Sequence, residues 1–355
     1  MRLETKTVTI LLCVALALSA CSKKTITPAE DPQPAEVGFT AASQATLVKS
    51  DTKDTTPLSN IHPDFGVWGI ARQEINPDYI LWDENGLTQV TKPSGSDVYV
   101  PVSPAYWLKG YTYNFLAVAP YNAAGLSNVN FTLTNTSGNT TGKDYMTFTY
   151  DMSDNYDAGN YSFDLLGAAA QTPVTTGGYD EPQQLVFWHL LSQIEIKNIG
   201  FASGISGTVN KVHFKAFPSG EYIVSYDNNE ALNLTAPTKV EYEVITKTSN
   251  NTDIDKSDVI ILNPNFNTSA PIIHIIPQKV EYLELYIDFS INEGASTAEY
   301  QGFKIDLTAQ ELEEYVYNGK YNWNITIGTK NSVSFEVVKV NEWKPGDATN
   351  EFPLQ

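Results

Sequence analysis

A chain of 355 residues with 42% hydrophobic side chains has enough apolar material for real cores, which excludes wholesale disorder and suggests about two domains. Its 41 acidic residues outnumber 22 basic ones, a formal charge of -19, and that balance argues against nucleic acid and anionic lipid as partners. Twenty Tyr, fifteen Phe and six Trp favour strands over helices.

The chain begins with Arg2 and Lys6, followed over 8–17 by an apolar stretch too short to span a bilayer comfortably. Small residues then lead to Cys21, the layout of a secretory signal. The ending Leu18-Ser19-Ala20-Cys21 resembles a bacterial lipobox, in which the bond between Ala20 and Cys21 is cut and Cys21 carries the lipid. Cys13 leaves with the signal, so the mature chain has no cysteine for a disulfide or a thiolate metal site. Loss of Arg2, Glu4 and Lys6 with the signal leaves 20 basic and 40 acidic residues. Residues 21–36, polar and proline-bearing after Cys21, read as a flexible tether with nothing to bury.

Order is expected from Val37. The stretch VGFTAASQATL places Val37, Phe39, Ala41, Ala45 and Leu47 on one side, interrupted at Ser43, and reads as a half-buried strand of modest strength. The polar residues 48–60 read as an exposed loop. FGVWGIA (65–71), DVYVPV (97–102) and YTYNFLAVA (111–119) are short, aromatic or β-branched strands. LVFWHLLSQIEIKN (185–198) reads as a strand pair, and YLELYIDFSI (282–291) alternates most clearly. YNWNITIG and VSFEVVKV repeat that pattern near the end. One helix is expected over 308–319, with Leu312 and Val316 on one face and Gly319 as its stop. Many short strands without crossover helices mean an all-β fold of antiparallel sandwiches. The Thr-, Gly- and Pro-rich stretch 171–184 marks a division, giving a signal (1–20), a tether (21–36), an N-terminal sandwich (37–184) and a C-terminal sandwich (185–355).

The chemistry of an active site is missing from the pattern. His62, His189, His213 and His274 have no partner at metal-ligand spacing, and His189 reads as a satisfied core histidine. No phosphate loop, nucleophile elbow or dinucleotide fingerprint occurs. DMSDNYDAG (151–159) lacks the spacing and closing Glu of a calcium loop. No catalytic residue, metal or cofactor is expected.

Five stretches, in order, carry a resemblance: FGVWGIA (65–71), YWLKGYTYNFLAVAPYN (106–122), FDLLGAAA (163–170) with LVFWHLLSQIEIKN (185–198), YNGKYNWNITI (317–327) and VNEWKPGD (340–347). Together, behind a lipobox, they resemble the fimbrillin family of the Bacteroidia, the Mfa-like subunits of type V pili. The resemblance implies two tandem transthyretin-like β-sandwich domains and a structural subunit that serves cell adhesion. It further implies an outer membrane lipoprotein precursor, a trypsin-like protease that cuts after the first strand, and other pilus subunits as partners in a cell surface fimbrium. The vacated groove then accepts a C-terminal strand of another subunit.

The residues fit this scheme physically. Loss of the first strand uncovers a groove for Val37, Phe39 and Leu47, at about 1.5–3 kcal/mol per large side chain, and leaves sheet edges unpaired. The only arginines are Arg2 and Arg72, and Arg72 ends a predicted strand, so Lys49 and Lys53 are the candidate maturation sites. Val333, Phe335 and Val337, or the tail through Phe352 and Leu354, are candidate donors. Host or bacterial surface ligands are implied; nucleic acid is not. The competing reading is a monomeric surface lipoprotein that binds glycan, and the N-terminus of the mature protein discriminates between the two.

Overall fold

The computed structural model describes residues 34–44, 55–73, 76–134, 143–158, 160, 162–172, 181–226, 240–245, 258–262, 272–307, 312–329 and 332–340. The first eleven strands are β1 (Phe39–Gln44), β2 (Thr55–Pro57), β3 (Asp64–Gln73), β4 (Asn76–Ile80), β5 (Thr88–Thr91), β6 (Val100–Pro101), β7 (Thr112–Ala119), β8 (Leu126–Thr132), β9 (Tyr145–Asp151), β10 (Leu166–Gln171) and β11 (Gln183–His189). The rest are β12 (Ser192–Phe201), β13 (Gly207–Lys215), β14 (Ser219–Tyr226), β15 (Val240–Ile245), β16 (Asp258–Leu262), β17 (Ile272–Ile275), β18 (Gln278–Lys279), β19 (Glu284–Glu293), β20 (Ser296–Ile305), β21 (Glu314–Tyr315), β22 (Lys320–Thr329) and β23 (Ser332–Val340). Among the described residues, α1 (Ser153–Asp157) is a single five-residue helix. The fold is all-β.

Nine strands form the first sheet, in the order β2-β1-β11-β10-β7-β3-β5-β6 with β4 also on β3. Its central strands are buried on both faces. Phe65, Val67 and Ala71 of β3 join one core, while Trp68 and Ile70, between them in sequence, join the other. β7 divides likewise, with Tyr113, Phe115 and Ala117 on one side and Leu116 and Val118 on the opposite side. Such strands read as continuous apolar runs rather than strict alternation. The second face packs against a four-stranded sheet, β15-β14-β9-β8. Two further sheets, β17-β12-β22-β23 and β16-β13-β19-β20, enclose the C-terminal part of that larger core.

Several expectations change. Residues 184 and 185 lie within β11, whose partners β10 and β1 both precede it in the chain. The chain leaves the first sheet for the last time at Leu190 and Leu191. β11 and β12 are therefore not a pair, since β12 binds β17 and β22. Strand pairing also crosses the division, because β9 of the N-terminal half pairs with β14 over seven registered positions, Ser219↔Asp151 to Ser225↔Tyr145. The sheets are not purely antiparallel: β1 runs parallel to β11, and β12 runs parallel to β22.

The expected helix over 308–319 is absent from its described part. Glu314 and Tyr315 form β21 against β18, and Tyr315, 1% exposed, packs on Tyr321 and Trp323. Burial of one aromatic ring outweighs weak local helix propensity. The loop expected over 48–60 contains β2 and a 3-10 turn at Leu58–Asn60 whose Leu58 is fully buried. DVYVPV contributes only the two residues of β6, plus a bridge at Tyr99.

Candidate functional site: the seat of the first strand

β1 closes the first sheet around its own core. Along one edge it pairs in parallel with β11, Phe39↔Gln183 through Ser43↔Phe187. Along the other its partners change. Val37 N–H donates to Ala105 O at 2.8 Å, and Phe39 and Tyr99 exchange two bonds of 2.9 and 2.8 Å. Beyond them, Ala42, Ser43 and Gln44 pair with β2. Gly38 permits this approach, because a Cβ there would stand 2.9 Å from Val98 Cγ1.

The inward side chains are few. Val37 and Phe39 are fully buried, and Ala41 packs partly buried against the same core. Phe39 makes edge contacts with Phe65 at 5.9 Å and Phe115 at 5.1 Å. Ser43 also faces inward, fully buried, and its hydroxyl finds no hydrogen-bond partner among the described residues. Two large side chains at about 1.5–3 kcal/mol each hold this row, and a buried unbonded hydroxyl works against them. Ala45, Leu47, Lys49 and Lys53 lie outside the described residues, as do Ala20, Cys21, Phe352 and Leu354.

Arg72 lies inside β3, paired through its backbone with Thr112. Its guanidinium forks onto Asp144, with one bond of 2.8 Å and a second through Nη1, and reaches Asp78 at 3.1 Å. Asp144 also accepts from Asn114 Nδ2 and from Thr134 N and Oγ1. Burial pushes its carboxyl up, but Arg72 and these donors outweigh that and hold it below the usual range. The pair ties β3, β7 and the ends of β8 and β9 together.

A second polar cluster was not legible in the sequence. Asp164, just before β10, accepts from His189 Nδ1 on β11 at 2.7 Å, and its backbone oxygen meets His62 Nε2 at 2.8 Å. His274 of β17 reaches the adjacent Phe163 O through Nδ1 at 2.8 Å. Burial pushes both His62 and His274 below the usual imidazole value, outweighing the attraction of Asp164. Asp164 sits below its ordinary value because the three imidazoles, His189 foremost, outweigh its burial. The one local hint was a lone carboxylate inside the apolar run 163–170. Among the described residues no group of three His, Cys, Asp or Glu is arranged to hold a metal ion.

The candidate donor residues Val333, Phe335 and Val337 all fall in β23, at the end of its sheet and paired with β22. Val333 and Val337 pack, partly buried, against the larger core.

Residues 62–343 match the model of a family described as fimbrillin-like. A fimbrial protein from Bacteroides vulgatus ATCC 8482 is similar in structure, with a TM-score of 0.50 at 16% identity over 86% of this chain and 98% of that one. A proposed cell adhesion protein from Bacteroides uniformis ATCC 8492 gives 0.47 at 15% identity over 86% and 97%. A fimbrial assembly protein from Parabacteroides distasonis ATCC 8503 gives 0.36 at 10% identity over 86% and 99%. No curated protein matches the chain. The matched span takes in every strand from β3 to β23, and the chain belongs to the fimbrillin-like family, whose members are structural pilus subunits and not enzymes.

Proposed function

We propose that this subunit is stored as a lipid-anchored precursor and assembles by replacement of β1. Cys21 carries the anchor at the outer membrane. A trypsin-like protease cuts after Lys49 or Lys53, β1 leaves with the lipid, and a C-terminal strand of another subunit takes its seat in a cell surface fimbrium that serves adhesion. The observation that carries this reading is the seat itself: a sheet closed by a strand with two large buried side chains and a buried, unbonded Ser43. A longer, fully apolar strand would fill it better. β2, which pairs with β1 at one edge of the sheet, would lose that pairing when β1 goes. Arg72 is a poor alternative cut, since its backbone is paired and its side chain is held by Asp144.

The test is a Lys49→Gln/Lys53→Gln precursor, which should stay full-length and monomeric while mild trypsin starts assembly of the wild type. Polymers from the uncut double variant would refute the mechanism. Subunits from sheared surface material should begin at Ser50 or Asp54. A mature N-terminus at lipidated Cys21 would instead indicate a monomeric surface glycan-binding lipoprotein; the N-terminus, not glycan retention, separates the two readings.

A further inference from the structure

We infer that the hollow between the β4–β5 turn and the segment after β6 is a binding site for a neutral sugar. This inference rests on the adhesion reading and gives it a ligand class. The hollow has a volume of about 670 Å³, room for one or two hexose rings and within the size range of small-ligand sites. Its apolar wall includes Ile80, Trp82 and Pro104, while Asp83, Glu84 and Thr88 supply polar groups. Trp82 is fixed rather than free: its indole N–H donates to Ser103 O at 2.8 Å, joining the two walls. A preformed wall lowers the ordering cost of binding.

A hexopyranose matches this pairing of surfaces. Its C–H face is apolar and suits an indole, while its edge carries several hydroxyl donors. Carboxylates are strong acceptors for such donors. Asp83 and Glu84 are exposed on the turn. Asp83 Oδ1 accepts from Asn85 N at 2.9 Å, and Glu84 Oε1 meets Asn85 Nδ2 at 3.4 Å, which orients both side chains and leaves further lone pairs. Among the described lining residues none is basic. Together with a net charge of -19, this disfavours sialylated or sulfated sugars.

The test uses the full chain in detergent and neoglycoproteins bearing galactose, glucose or mannose. Sialyllactose conjugates and a lysine-rich peptide serve as competing ligand classes. A neutral bacterial polysaccharide, run beside host-type glycans, separates the two sources of the same chemistry. Wild type should retain at least one neutral sugar. Asp83→Asn/Glu84→Gln, confined to the exposed turn, should weaken retention at least about tenfold, and Trp82→Ala, checked for folding by circular dichroism, should abolish it. No neutral sugar bound, retention unchanged in the turn variant, or preference for the anionic sugar or the peptide would each overturn the inference. Polymerisation after protease treatment is scored on the same variants. Assembly without sugar retention fails this inference alone, and retention without assembly fails the strand-replacement reading alone.

Discussion

Phe39→Ala tests whether β1 is held by the burial described above. Phe39 is fully buried, with edge contacts to two rings, so truncation removes the largest inward side chain in the described part of the strand. Phe-to-Ala changes in cores cost about 3–5 kcal/mol, including the cavity left behind. In the uncut chain this appears as lower global stability in a urea titration. After the 45–54 segment is nicked, nothing covalent joins β1 to the body, and the same loss appears in strand retention. About 4 kcal/mol corresponds to roughly a thousandfold change in that equilibrium. The assay is the fraction of N-terminal fragment, tagged at Cys21, that stays with the body on dilution after trypsin. Tyr79→Ala, at a side chain 53% exposed on β4, is the control. If nicked Phe39→Ala keeps its fragment as firmly as wild type while the uncut variant is destabilised, the seat of β1 does not govern release.

Ser43→Ala should act in the opposite direction, since it removes a buried hydroxyl without a partner, worth about 1–3 kcal/mol; a longer-lived nicked complex is expected, and faster release counts against it. Stability should fall as pH drops below 6.5, because the folded-state values of His62 and His274 lie below that reference and the unfolded chain takes up protons first. Each histidine contributes a slope of up to ~1.4 kcal/mol per pH unit, and His274→Gln should flatten the profile; an unchanged profile would contradict the buried neutral state. The contribution of Asp164 holds until pH falls below 3.8, outside that window. Asp144→Ala should cost about 1.5–3 kcal/mol, since it removes the forked partner of Arg72 and leaves the guanidinium to Asp78 alone, and a loss under about 1 kcal/mol would class the pair with surface ion pairs.

The strands that are legible in the sequence are those with enough apolar residues at alternating positions to fix a face. β19 is the clearest, with Leu285, Ile287, Phe289 and Ile291 all inward, and β22 follows it. β3 and β7 are legible as strands, but their two-sided burial is not, because a continuous apolar run does not say what covers each face. Period two also says nothing about partners. That β1 runs parallel to β11, or that β9 pairs with β14, depends on contacts between residues far apart in the chain. Ser43 was an interruption in the pattern, whereas its backbone alternation alone places it inward. The Asp164 cluster joins residues 25 to 111 positions apart, so no local spacing could announce it.

The pairing of β9 with β14 has a mechanical consequence. In a fibre assembled as proposed above, with the β1 seat joined on one side and a C-terminal strand on the other, tension would cross each subunit from its N-terminal sheet to its C-terminal sheets. If the halves met only at Leu190 and Leu191, that load would fall on a single covalent strand of backbone and could swing the halves apart. Because β9 and β14 share seven registered positions, a second path runs through a hydrogen-bonded ladder and the core beneath it. A pull along those strands would load the ladder's bonds together rather than one after another, and in such a fibre the subunit would act as a stiff link instead of a hinge.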